Sequence, residues 1–111
     1  MYTLTLKRGD TLSVIVVRQD EDGNPLTGDA SKLRSQIRDS NDQLVASFTI
    51  TETVTAGEYL FEVPSTTTLN FPLGRLDWDI EYDSGTGYIK STETMNIRVE
   101  KDVTRDEVLP S

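Results

Sequence analysis

A chain of 111 residues can bury a single core, and this one holds neither cysteine nor histidine. That excludes a disulfide framework, thiol and imidazole nucleophiles, the commonest general base and every zinc site built on Cys or His, so no cofactor and no metal ligand set is expected. A net charge of −8 argues against binding to nucleic acid, where Lys and Arg must neutralise phosphates, and against docking on an anionic membrane.

The elements follow one another as strands. Residues 2–7 alternate, with Leu4 and Leu6 turned inward. Residues 1–7 lack the basic and apolar regions of a signal peptide, and no run approaches the ~20 apolar residues of a membrane span. Arg8-Gly9-Asp10 has the form of an adhesion tripeptide, yet glycine and aspartate are also what a tight turn requires, and it reads as the turn into the next strand.

The second strand, residues 11–19, differs from all others. Leu12, Val14, Ile15, Val16 and Val17 make it apolar on both faces. A two-layer sandwich covers only one face of such a strand. Ile15 and Val17 are therefore expected to meet a partner or the flanking tail. Asp20-Glu21-Asp22-Gly23-Asn24 follows; it lacks the third ligand and the distant glutamate of a calcium loop and reads as an Asp-Gly turn.

A third strand at 32–39 carries Arg34 and Arg38. The fourth, at 44–51, is expected to bury Leu44, Ala46, Phe48 and Ile50, and the fifth, at 58–63, Tyr59, Phe61 and Val63. Alternation breaks at Pro64, where Ser65 or Thr66 is suited to cap one helical turn near 65–70, with Leu69 and Phe71 plugging the core. Thr66-Thr67-Thr68 has no base beside it, so it is no nucleophile.

The sixth strand, residues 74–82, sorts most cleanly. Leu76, Trp78, Ile80 and Tyr82 share one face, and Asp77, Asp79, Glu81 and Asp83 share the other. Trp78 reads as a core anchor. The acids read as a solvated face bridged to Arg34, Arg38, Lys90 and Arg98; general acid–base and cation-binding roles are the sharper alternatives. The seventh strand, residues 88–100, would bury Ile89, Met95, Ile97 and Val99. About seven antiparallel strands separated by regular turn signals make an all-β, immunoglobulin-like sandwich over residues 1–101, with a polar tail at 102–111. That tail offers Val103, Val108 and Leu109 as further docking residues.

Several stretches carry a family resemblance: Arg8-Gly9-Asp10-Thr11, Asp22-Gly23-Asn24-Pro25-Leu26-Thr27-Gly28, Gly57-Glu58-Tyr59, Gly74-Arg75-Leu76-Asp77-Trp78-Asp79 and Asp102-Val103-Thr104-Arg105. Together they resemble the small immunoglobulin-like structural modules of tailed bacteriophages, similar to the N-terminal domain of baseplate upper proteins. The resemblance spans nearly the whole chain but rests on turns and core positions. It implies a non-enzymatic virion part, assembled in the host cytoplasm, that docks to other virion proteins, with self-association open. Longer members continue past the position of Ser111, so the implied role is connector, assembly or decoration rather than host recognition. A carbohydrate- or host-surface-binding sandwich is the alternative, with Tyr88 as its aromatic platform.

Overall fold

Period-two alternation cannot be satisfied by an isolated strand, because each apolar face needs a second layer. In a computed structural model describing residues 3–103, the chain meets that need with nine strands in two sheets. They are β1 (Thr3–Lys7), β2 (Leu12–Val17), β3 (Leu33–Arg38), β4 (Leu44–Ser47), β5 (Thr49–Glu52), β6 (Glu58–Val63), β7 (Gly74–Asp83), β8 (Ile89–Ser91) and β9 (Met95–Glu100). A 3-10 turn at Ala30–Lys32 precedes β3, and a single-turn helix α1 (Ser65–Thr68) follows β6. No described helix is long and apolar enough to cross a membrane.

One sheet runs β1-β9-β7-β3-β4, with β8 beside the end of β7; the other runs β2-β6-β5. All pairings are antiparallel except β1 with β9, which is parallel from Thr3↔Asn96 to Lys7↔Glu100. The chain is an immunoglobulin-like β-sandwich.

Between the sheets lie Ile37, Tyr59, Phe61, Leu76 and Ile97, all essentially without exposed surface. Trp78 belongs to this core, its ring 5.1 Å from that of Phe48, which in turn stands 5.8 Å from Phe61. The tilted geometry of both pairs suits the ring quadrupoles.

Four expectations about strands are corrected. The fourth strand is two strands in different sheets. Phe48 drops into the core while its amide donates to the Ser35 carbonyl at 2.9 Å, and Thr49 then pairs with Glu62 across the sandwich. Leu44 is exposed, because a bulge sets Ala46 opposite Ile37 but Leu44 opposite Arg38. One extra residue moves every side chain beyond it to the other face. The seventh strand is likewise divided: Thr92 exchanges bonds with Ile80, through its hydroxyl at 3.0 Å and its amide at 2.9 Å, and separates β8 from β9. Ile89 pairs with Asp83, so it lies on the acid face and is exposed rather than buried.

After β6, Pro64 is the N-cap of α1 and neither Ser65 nor Thr66 caps it by a side chain. Phe71 plugs the core as expected, whereas Leu69 is exposed. The turn is pinned from inside instead, by the buried Thr68 hydroxyl donating to the Asp10 carbonyl at 2.6 Å. That bond also fixes the β1–β2 turn, where the Asp10 amide donates to Lys7 at 3.0 Å.

Candidate docking face

Among the described residues strand β2 is an edge of the smaller sheet, paired with β6 alone. Its inward residues are Leu12, Val14 and Val16. Ile15 and Val17 face the other way and are 54% and 58% exposed. The register sets Ile15 beside Leu60, Val17 beside Glu58 and Ser13 beside Glu62, and Leu60 beside Thr51 on the far strand. Ile15, Val17 and the half-buried Leu60 thus lie together on the outer face, with Glu58 and Glu62 beside them.

Leu60 was not singled out from sequence. Its signal was present: it is the one apolar residue on the polar face of Glu58-Tyr59-Leu60-Phe61-Glu62-Val63. Of the tail residues, Val103 stands 81% exposed and does not cover the patch. The chain enters the tail beside the β1–β2 turn, where the Arg8 amide donates to the Glu100 carbonyl at 2.8 Å, whereas Val17 lies at the opposite end of β2. Val108 and Leu109 lie outside the described residues.

The segment after β2 is held firmly. Arg18 pairs with Asp29, both largely buried, and its guanidinium lies 4.7 Å from the centre of the Tyr82 ring. The hydroxyl of the fully buried Tyr59 donates to the Leu26 carbonyl at 2.7 Å and accepts the Asp29 amide at 3.2 Å. Within the intervening loop, the Asp20 carboxylate accepts the amides of Asp22 and Asn24, each at 2.9 Å. Those bonds, with the Asn24 amide foremost, hold its carboxyl below the usual carboxylate range. The carboxylate is therefore turned into its own loop, as an Asp-Gly turn requires.

On the opposite sheet the acid stripe is only partly bridged across strands. Arg34 binds Glu81, which faces it in register. Asp77 accepts Arg75 Nε at 3.1 Å, from its own strand, and Asn96 Nδ2 at 2.7 Å. Arg38, opposite Asp77, instead donates to the Asp42 carbonyl and to Gln36 Oε1, each at 2.9 Å. Arg98 reaches Glu100 on its own strand at 3.7 Å, and Lys90 pairs in register with Tyr82 rather than with an acid. Among the described residues no group of three or more acidic, His or Cys side chains is arranged to hold a metal. The four acids of the stripe are each partly exposed. Asp77→Asn together with Asp79→Asn is expected to shift folding free energy by no more than about 1 kcal/mol, since exposed pairs contribute about 0–1 kcal/mol. Urea denaturation measures this, and a calcium heat in titration calorimetry that vanishes in the double variant would overturn it.

No family model matches the chain, and no curated protein matches it. Among solved structures it is similar to the immunoglobulin-like domain of mouse leukocyte-associated immunoglobulin-like receptor 1, crystallised as a strand-swapped dimer. Identity is 12%, 91% of each chain is covered, and the TM-score is 0.49.

Proposed function

We propose that this chain is a non-enzymatic docking module: a bacteriophage or prophage virion structural protein, serving as a tail, baseplate, connector or decoration component. It assembles in the host cytoplasm and joins other virion proteins through the outer face of β2. The observation that carries the docking role is the exposure of Ile15 and Val17, next to Leu60, on an edge strand. Addition of an extended strand to an exposed sheet edge is a recurrent mode of protein recognition. The virion assignment rests on the turn and core motifs that resemble phage modules, and the absence of Cys and His from the sequence favours docking over catalysis.

Ile15→Lys separates docking from folding, because an outward residue tolerates charge. The variant is expected to keep the wild-type circular dichroism spectrum, with a melting temperature within about 5 °C, and to be absent from particles assembled in cells that supply it as the only copy. Normal incorporation would remove β2 from the docking surface. Unfolding of the variant would place Ile15 in the core.

A second reading, carbohydrate or host-surface binding, is favoured by one observation. Tyr88 is 57% exposed near the tip of the β7–β8 hairpin, its ring edge-on to Tyr82 at 6.3 Å. Retention on a glycan surface that is lost in Tyr88→Ala would support it.

A further inference from the structure

The backbone of β2 has a free side. The Arg18 amide donates to the Gly57 carbonyl at 2.8 Å, one step beyond the pair of Val17 and Glu58. The Thr53 amide donates to the Glu58 carbonyl at 2.8 Å, so the Glu58 backbone is turned toward β5. Antiparallel bonds alternate along a strand. The amides and carbonyls of Leu12, Val14 and Val16 therefore meet β6, and those of Ser13, Ile15 and Val17 point away from the sheet. Among the described residues no strand pairs with that side, and Leu12–Val17 has no charge, proline or bulge to blunt it.

The strand is neutral but its surroundings are acidic. On the outer face Glu62 reaches across to β2, where the Ser13 hydroxyl donates to its Oε2 at 3.3 Å, so this carboxylate lies against the edge strand. Glu58, beside Val17, accepts the Thr53 hydroxyl at 3.0 Å. Among the described residues neither carboxylate meets a cation. Asp10 before the strand and Glu21 and Asp22 after it are exposed. Arg18, which adjoins the strand, is already paired with Asp29. The net charge of −8 adds to the same field.

We infer that the β2 edge takes up an extended basic segment of another protein, with an aliphatic residue at its centre and Lys or Arg two positions to either side. This rests on the reading of β2 as the docking strand and names the chemistry of its partner. Pairing sets the central residue opposite Ile15, which it covers on the outer face. The residues two positions away stand opposite Ser13 and Val17 and share that face. Opposite Ser13, a basic side chain has the Glu62 carboxylate within its length. Opposite Val17, its methylene stem lies over the valine while its charge reaches toward Glu58. The pattern reads the same in either direction, so both strand orientations satisfy it.

Charge decides among the occupants. A second copy brings its own net charge of −8, and the tail at 102–111 carries three acids to one base, so Glu58 and Glu62 disfavour both. A basic segment gains at each end. The acid face of the other sheet also attracts cations, but there β7 lies between β3 and β9 and offers no free backbone along most of its length, so it cannot take up a strand. A segment of this length makes the small contact of a transient complex. Main-chain bonds supply its affinity, and the two basic positions supply association rate and selection.

Amide NMR titration of the full chain with the end-blocked peptide Thr-Lys-Thr-Val-Thr-Lys-Thr tests the inference, the control being the same peptide with Glu in place of both Lys. Peptide is added to about 2 mM, since contacts this small have dissociation constants of about 10 µM to 1 mM. The basic peptide should shift the amides of Ser13, Ile15 and Val17 and slow their exchange, while Val14 and Val16 keep their bonds to β6. Glu62→Gln should weaken binding about two- to five-fold, as loss of one exposed ion pair does, and raising the salt from about 0.05 M to about 0.5 M should weaken it as well. Ile15→Pro removes one outward N–H and no ladder bond, a position where an edge tolerates proline, and should abolish binding. Equal binding of the acidic peptide, shifts confined to Asp77, Asp79 and Glu81, or no binding at all would overturn the inference. If Ile15→Lys is nevertheless excluded from particles in that case, β2 docks on a segment of other chemistry. If it is incorporated normally, the docking role of β2 fails as well.

Discussion

Trp78→Ala is expected to lower folding stability by about 3–5 kcal/mol, the range for deleting a large buried aromatic, from a total of about 5–15 kcal/mol for a domain of this class. Trp78 is 3% exposed, lies near the middle of β7 and packs against Phe48, the residue at which the chain crosses between sheets. Its loss opens a cavity where both sheets and the crossover meet, a site with little freedom to collapse. Guanidinium denaturation measures the change, and the native emission should be blue-shifted and poorly quenched by acrylamide. Trp78→Phe should cost only about 1–2 kcal/mol, because the indole Nε1 has no hydrogen-bond partner among the described residues. Equal losses for the two variants would show that packing volume is not what Trp78 supplies.

Gly57→Ala is the second large expected effect, about 2–4 kcal/mol from backbone strain and crowding together. Gly57 precedes β6 with φ +76°, and a Cβ there would stand 2.8 Å from the Arg18 carbonyl oxygen and 2.8 Å from Pro25 Cβ. The Arg18 oxygen already accepts the Leu26 amide at 3.0 Å, so neither contact can retreat without disturbing the segment after β2. Gly23→Ala is the control. Gly23 has φ +83° but open space around its Cβ position, so only the strain remains, about 1 kcal/mol. Similar urea midpoints for both variants would show that close approach at Gly57 contributes nothing.

Where one strand carries its own evidence, the sequence was legible. β6 matches residues 58–63 because Tyr59, Phe61 and Val63 alternate with acids and Leu60, and β7 and Trp78 follow from the same rule. What failed depends on neighbours. Nothing in Leu44-Val45-Ala46-Ser47-Phe48-Thr49-Ile50 marks a change of sheet, since Leu44, Ala46, Phe48 and Ile50 keep a period of two across it. The bulge that exposes Leu44 exists only in the pairing with β3. Charge partners were misassigned for Arg38, Lys90 and Arg98 for the same reason: which acid a base meets is a matter of register, which one strand cannot reveal. Ile15 and Val17 were legible because a doubly apolar strand violates the pattern of a half-buried sheet. Leu60 became visible as their neighbour only once β2 and β6 were paired.

The parallel pairing of β1 with β9 gives the domain a mechanical character. Thr3 and Glu100 sit at opposite ends of that pair, which spans five residues of each strand. Tension drawn from Thr3 toward the N-terminal side and from Glu100 toward the C-terminal side pulls the two strands past one another along their length. The bonds between them are then loaded together in shear, whereas a hairpin pulled from its open end peels one bond at a time. Force applied across these two residues would meet its first resistance at this pair, ahead of the core.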